Sequence, residues 1–520
     1  MLANPMSRLI RQDDADFRFG RGRVVDLLKA KKANSRVDWA ISLGNTGGMA
    51  VGETPAKYVF DAFAPLTVAS CANDFVVYTI NATPGAGSQA NIVAFNNLYT
   101  GTVNSFCPNG AQIPRTTNFT QATFMWSYAV GSAGSFLSPV LSLDGKKVAF
   151  IEGSNPAIFR VLTWVAGQGT NATTGAVAPG SGGSSVTSLS YTNTSVTGCA
   201  ANSDSNSASS PYIDYTTDVA YIGADNGILY RIKNVFTGTP TLDYCITVSA
   251  GNTLTSPVYD PVSNKVFVSN GQNLYAFTPG ASSFTAAGSI QVGNNTASVI
   301  LPPIVDSTNG FVYTFAARGA TLNNAVVSQV PTSLASIREV SIGTTATGYI
   351  LTGAFDDKYF STGPSAGTLY ACGRNASNNG AASRPSLYAI SFAANGLMNT
   401  TAAMSDNRNI NNNTTGVCSP LMAFSDGTND RLFVGVGAST GTGGANLVTM
   451  WNINNRITSN TATPTATAIN EIGGTTGFTI DNTSTQPEAS SIYFGTLFRS
   501  TLAPCGNNYC AVKLTRSALQ

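Results

Sequence analysis

The strongest constraint on this chain is a short phrase that it repeats at a near-fixed interval. Ser210-Pro211-Tyr212-Ile213-Asp214, Ser256-Pro257-Val258-Tyr259-Asp260, Pro302-Pro303-Ile304-Val305-Asp306 and Thr352-Gly353-Ala354-Phe355-Asp356 follow one another with their aspartates 46, 46 and 50 residues apart. Each phrase leads through a turn into a second apolar run: Val219-Ala220-Tyr221-Ile222, Val266-Phe267-Val268, Phe311-Val312-Tyr313-Thr314-Phe315 and Lys358-Tyr359-Phe360. The stretch from Ser256 to Gly280 carries the full pattern. A strand ends in Asp260, a Pro/Asn turn follows, Lys265 to Ser269 alternate, and Leu274-Tyr275-Ala276-Phe277 return after a polar turn. Apolar residues at period two mark strands, and Asp, Pro, Asn and Gly mark the turns between them. Looser copies start at Asp61, Asp144, Asp426 and Asp481, which brings the count to eight units.

A fourth strand belongs to each unit. It is clearest at Trp39 to Gly44 and Trp126 to Gly131, with weaker echoes at Gly288 to Gly293, Arg338 to Gly343 and Ala468 to Gly473. A four-stranded unit of about 40–50 residues is the period of a β-propeller blade, which must stack on its neighbours to bury both faces. The fold expected is therefore all-β: a single β-propeller of eight four-stranded blades, with seven as the alternative count. The chain proper opens on a lone outer-type strand at Trp39 and finishes at Cys510 to Leu514. The first strand can complete the last blade and close the ring, removing the open edges. The domain reading is a short extension over 1–36 and the propeller over 37–520.

The Ser-Pro-x-x-Asp start and the Leu-Tyr-Ala phrases at Leu274-Tyr275-Ala276 and Leu387-Tyr388-Ala389, with variants at Leu229-Tyr230 and Leu369-Tyr370-Ala371, carry a resemblance. The chain resembles the PQQ-like and YVTN-type propeller repeats of secreted bacterial proteins over residues 37–514. The resemblance implies the fold and invites a quinone site. The adjacent Cys-Cys pair of the quinone-dependent dehydrogenases is missing here, as is a tryptophan-docking repeat. No cofactor is expected on these grounds.

Composition narrows the chemistry. Charged residues are 10% of the chain, against about 25% in ordinary globular proteins. Histidine is absent, which removes the Ser-His-Asp triad, histidine metal ligands and histidine acid–base catalysis. No catalytic constellation stands out, and the chain reads as a non-enzyme. The cysteines are even in number: Cys71, Cys107, Cys199, Cys245, Cys372, Cys418, Cys505 and Cys510. They read as four disulfides paired in order along the chain, with Cys505 and Cys510 clipping one hairpin, and so as an oxidising, extracellular or cell-surface location.

Residues 1–36 differ from the rest. They hold nine Lys/Arg against four Asp/Glu, while the whole chain is only +2. The segment lacks the apolar core of a signal peptide, and no run of about 18 apolar residues exists to span a membrane. Phe17, Phe19, Val24, Val25, Leu27 and Leu28 are too apolar for a purely solvated tail and mark an arm that docks on a neighbouring subunit. A disordered leader is the alternative. No basic patch continues into the blades, so nucleic acid is not an expected partner.

The repeated aspartates could be taken for a carboxylate set, but Asp at a strand end more simply accepts turn N–H groups. Asp225-Asn226-Gly227 and Asp426-Gly427-Thr428-Asn429-Asp430 offer oxygen ligands that leave calcium possible, although hairpin turns explain both. Trp39, Trp126, Trp164 and Trp451 fall inside strand patterns and read as packing between blades. The Gly/Ser/Thr/Asn-rich loops at 167–185 and 193–210 are where a propeller carries specificity. Two functions follow: a structural or interaction propeller that assembles with copies of itself or another surface protein, forming a homo-oligomer or filament, or a loop-face module binding glycan or protein. A quinoprotein-like oxidoreductase is the remaining alternative.

Overall fold

The computed structural model describes residues 36–515, apart from 60–68, 101–106, 108–110, 114–118, 193–195, 197–198, 200–203, 296–300, 345–351, 376–383, 405–415, 426–427, 439–446, 460–461, 463, 471–473, 483–489 and 500–504. It is an eight-bladed β-propeller of antiparallel blades, seven of them with strands paired in sequence order and the eighth taking its outermost strand from the start of the described chain. The alternative of seven blades is excluded. Blade 4 is the archetype: Val258–Asp260, Lys265–Ser269, Asn273–Pro279 and Phe284–Gln291. Blade 7 departs from it, because its first strand is split into Gly416–Cys418 and Met422–Ser425, both paired with Asp430–Ala438.

The burial patterns explain the sequence. Second strands lie between neighbouring blades and are covered on both faces, so Phe75–Thr79 and Val219–Gly223 are buried at every position. Such strands read as continuous apolar runs rather than alternating ones. Fourth strands lie at the rim, and in Phe284–Gln291 the middle residues are largely exposed.

Eight apolar clusters fill the ring, one between each pair of neighbouring blades. The cluster between blades 8 and 1 contains Trp39, Ile41, Tyr78, Phe95 and Tyr493. Trp39 is central to it, with its ring 5.9 Å from both Phe95 and Tyr493. Trp126 and Trp164 stack at 6.0 Å between blades 1 and 2, and Trp451 is buried between blades 6 and 7. The tryptophans therefore pack blade on blade.

Closure uses the first strand. Arg36–Gly44 pairs antiparallel with Tyr509–Thr515, and Thr479–Asn482 and Ser490–Gly495 complete blade 8. Arg36 faces Thr515 and Gly44 faces Tyr509 in this register.

Blade 6 corrects one expectation. Lys358-Tyr359-Phe360 is not a strand but part of the short helix Asp357–Ser361. Asp356 caps it by accepting the Tyr359 N–H, and Asp356 also accepts the Thr368 N–H at the start of the true second strand, Thr368–Arg374. Leu369-Tyr370-Ala371 thus belongs to a second strand, while Leu387-Tyr388-Ala389 lies in the third, Pro385–Ser391.

Candidate functional site

The repeated aspartates are joints of the ring. Asp214 accepts the Thr216 N–H at 3.0 Å, Asp260 the Val262 and Ser263 N–H groups, and Asp306 those of Thr308 and Asn309. Several also receive a donor from the next blade. Ser307 Oγ donates to Asp260 Oδ1 at 2.6 Å, and Tyr359 OH donates to Asp306 Oδ2 at 2.6 Å. In the second case the donors form an ordered relay. Tyr359 spends its proton on Asp306, so Tyr313 OH must donate to Tyr359, 2.9 Å away, and Gln329 Nε2 donates to Tyr313 at 3.0 Å. Burial and the nearby Asp306 push both phenols well above their usual range. Asp61 and Asp426 lie outside the described residues.

The serine of the repeat has its own role. Ser256 Oγ accepts the Ser210 N–H at 2.8 Å, Ser210 Oγ accepts the Ser138 N–H at 3.0 Å, and Ser138 Oγ accepts the Thr54 N–H at 3.0 Å. These residues stand at the entry to the innermost strand of four successive blades. The bonds step from blade to blade around the axis.

Glu53, next to Thr54, is a junction between three blades. Its carbonyl accepts the Gly477 N–H of blade 8, and its carboxyl meets the Ala50 N–H at 3.1 Å and Thr79 Oγ1 at 2.7 Å. Thr79 Oγ1 also lies 2.7 Å from the Leu137 carbonyl of blade 2. Thr79 Oγ1 thus divides its one proton between the Glu53 carboxyl and the Leu137 carbonyl. Burial pushes the Glu53 carboxyl up to about 8, against the opposing pull of those hydrogen bonds. Desolvation disfavours the charged form of a buried acid, which is the cause here.

At the closure between blades 8 and 1 the joint is ionic. Lys57 Nζ lies 3.0 Å from Asp481 Oδ2, with side chains 4% and 0% exposed. Tyr493 OH is 3.4 Å from the same oxygen, and Lys57 Nζ stands 6.0 Å from the centre of the Tyr99 ring. Tyr99 donates a short hydrogen bond to Asp74. Burial raises the Tyr99 and Tyr493 phenols far above their ordinary values, and Asp481 and Asp74 both reinforce the effect. Lys513, also buried, donates to the Thr100 carbonyl at 3.0 Å.

The cysteines form four disulfides between successive partners: Cys71–Cys107, Cys199–Cys245, Cys372–Cys418 and Cys505–Cys510. Cys372–Cys418 ties the second strand of blade 6 to the first strand of blade 7. Cys505–Cys510 clips the turn that enters the last strand.

Asp225-Asn226-Gly227 is a hairpin turn in the structure. Asp225 Oδ1 accepts the Ala208 N–H, Asn226 Oδ1 accepts the Ile228 N–H, and Gly227 sits at φ +80° where a Cβ would lie 1.8 Å from the Ser249 carbonyl oxygen. Of the second calcium candidate, Asp426 and Gly427 lie outside the described residues, and Asp430 opens a strand. Among the described residues no group of three or more acidic or cysteine side chains is arranged to hold a metal. The arm residues Phe17, Phe19, Val24, Val25, Leu27 and Leu28 lie outside the described residues. Among those described, no helix is long and apolar enough to cross a membrane.

Sequence reasoning missed Glu53, Thr79, Lys57 and the Asp74–Tyr99 pair. Glu53 and Lys57 did leave a signal, being charged residues on either side of an apolar stretch in a charge-poor chain.

No family model and no curated protein matches this sequence. Solved structures align with it at low identity. BamB from Moraxella catarrhalis aligns over 88% of this chain and 96% of its own, at 11% identity and TM-score 0.43. A putative 6-phosphogluconolactonase from Bacteroides fragilis aligns over 75% of this chain and 96% of its own, at 13% identity and TM-score 0.38. Identities this low reach no further than the β-propeller fold.

Proposed function

We propose that this chain is a secreted or cell-surface structural propeller that joins copies of itself, or another surface protein, through residues 1–36. One observation carries the reading. Arg36 opens the outermost strand of blade 8, so the point at which the basic segment joins the ring lies at the rim and not at the axis. Residues 1–35 carry a net +4 by count and the remainder −2, which favours the contact electrostatically. Four disulfides and a surface of Ser, Thr, Asn and Gly suit an oxidising exterior.

Electron microscopy of the natively purified chain, beside a version lacking residues 1–35, tests this. Ordered oligomers or filaments that vanish on truncation are the expected result. Single rings in both samples overturn it and direct attention to the loops, where glycan-array binding by the intact ring would support the loop-face reading.

A further inference from the structure

We propose that Lys57 and Asp481 form an intramolecular isopeptide bond that covalently seals blade 1 to blade 8. The corresponding joints elsewhere use neutral donors: Ser307 reaches Asp260, and Tyr359 reaches Asp306. At the closure the group that meets the repeat aspartate is an amine. Of the ion pairs among the described residues, this is the one with both side chains less than 5% exposed. Lys57 Nζ meets no hydrogen-bond acceptor in aligned geometry, only the Asp481 carboxylate at 3.0 Å. A buried ammonium left short of hydrogen bonds is costly to keep, because its desolvation is only partly offset by the attraction to the carboxylate. Condensation removes both charges at once.

The surroundings suit the reaction. Water is excluded by Trp39, Tyr78, Tyr99 and Tyr493, all buried. The two groups sit on different blades and are held together by the fold, with Nζ 3.0 Å from Oδ2, so no bimolecular encounter is needed. In a low-dielectric site a proton passes from Nζ to Oδ2, which yields a neutral amine and a neutral acid. The Nζ lone pair forms a bond to Cγ, and the Cγ–Oδ2 bond breaks. The oxygen leaves with two protons from the amine as one water, and the remaining N–H belongs to a secondary amide. Tyr493 OH, 3.4 Å from Oδ2, is positioned to donate to the departing oxygen. No oxidant, metal or second protein enters the balance.

The test is a tryptic peptide map of the full chain after reduction and alkylation. The expected result is loss of cleavage after Lys57, with its peptide joined to the one containing Asp481 and lighter than the sum of the two by one water. Recovery of the linear peptide ending at Lys57 in full yield overturns the proposal, as does a cross-link at Lys513 in its place. Lys57→Arg keeps the cation but has no nucleophilic amine, so its map must contain the unjoined Asp481 peptide. A one-water deficit on that peptide in Lys57→Arg would place the modification elsewhere and sink the assignment.

Discussion

The hydroxyl of Ser256 accepts the backbone N–H of Ser210, the same position of the preceding blade, at 2.8 Å. A side chain chosen for a turn within one blade thereby satisfies the main chain of another. Ser256→Ala strands the Ser210 N–H in a half-buried place. The expected loss is about 1 kcal/mol, the net worth of one such hydrogen bond. Chemical denaturation of the variant checks it, and an unchanged midpoint would mean that water replaces the hydroxyl without cost.

Glu53 makes stability depend on pH in an unusual direction. Its folded-state value is about 8 against an ordinary 4.5. Below the ordinary value both states hold the proton, and the contribution is complete. Between 4.5 and 8 the unfolded chain has released its proton and the folded one has not, so stability declines as pH rises. The slope is about 1.4 kcal/mol per pH unit and levels off above the folded value. Glu53→Gln keeps the size and shape of the side chain without a titrating proton. The difference between wild type and variant should therefore shift steadily against the wild type from pH 5 to about pH 8 and then level off. Parallel curves would refute the protonated junction.

The relay from Gln329 to Asp306 passes through one phenol of the blade 6 helix. Tyr359→Phe removes the donor to Asp306 and the acceptor for Tyr313 together. The cost expected is about 1–3 kcal/mol, with the Tyr313 hydroxyl proton left without its acceptor and Asp306 short of one donor. Native-state hydrogen exchange should find the loss concentrated at the contact between blades 5 and 6. Uniform loss across the ring would argue against a local joint.

The disulfides should differ in worth. Cys199–Cys245 closes a span of 46 residues and Cys505–Cys510 a span of 5. On chain-entropy grounds the first contributes about 4 kcal/mol and the second about 2. Double serine variants of each pair, compared by thermal melting, should rank in that order. Full reduction of the wild type should lower the melting temperature further than either variant.

Truncation separates the arm from the closing strand. Removing residues 1–35 should leave the melt of the ring unchanged. Removing residues 1–44 strips blade 8 of its outer strand, exposes Tyr509–Thr515 as an open edge and uncovers the cluster around Trp39. Open edges pair with other chains, so this version should aggregate. Light scattering distinguishes the two.

The ring was legible because its second strands are covered on both faces. Runs such as Val219 to Ile222 and Val266 to Val268 have no solvent side to dilute them. Fourth strands such as Phe284–Gln291 are half exposed, and their pattern is correspondingly faint. Blade 6 misleads because an insertion there puts an apolar Tyr359-Phe360 pair just where a strand is due. Asp356 is followed by a second aspartate, and capping of the Tyr359 N–H turns the segment helical. The aspartates were read correctly as turn acceptors at 214, 260 and 306, but their second donors were not visible. Ser307 and Tyr359 reach back 47 and 53 residues, and Lys57 meets a partner 424 residues on. Distances of that kind follow from blade stacking, which a single repeat does not encode.

The pairing of Arg36–Gly44 with Tyr509–Thr515 also fixes an order of events. A ribosome delivers the first of these strands before any blade and its partner after the other seven. Seven blades can assemble as they emerge, while the eighth waits for Tyr509–Thr515. Until then the nascent arc keeps both of its ends open, and the Trp39 strand must remain soluble and unclaimed throughout. A truncation before Tyr509 therefore costs the closure of the whole ring and not one blade, which makes the arrival of that strand the checkpoint for this fold.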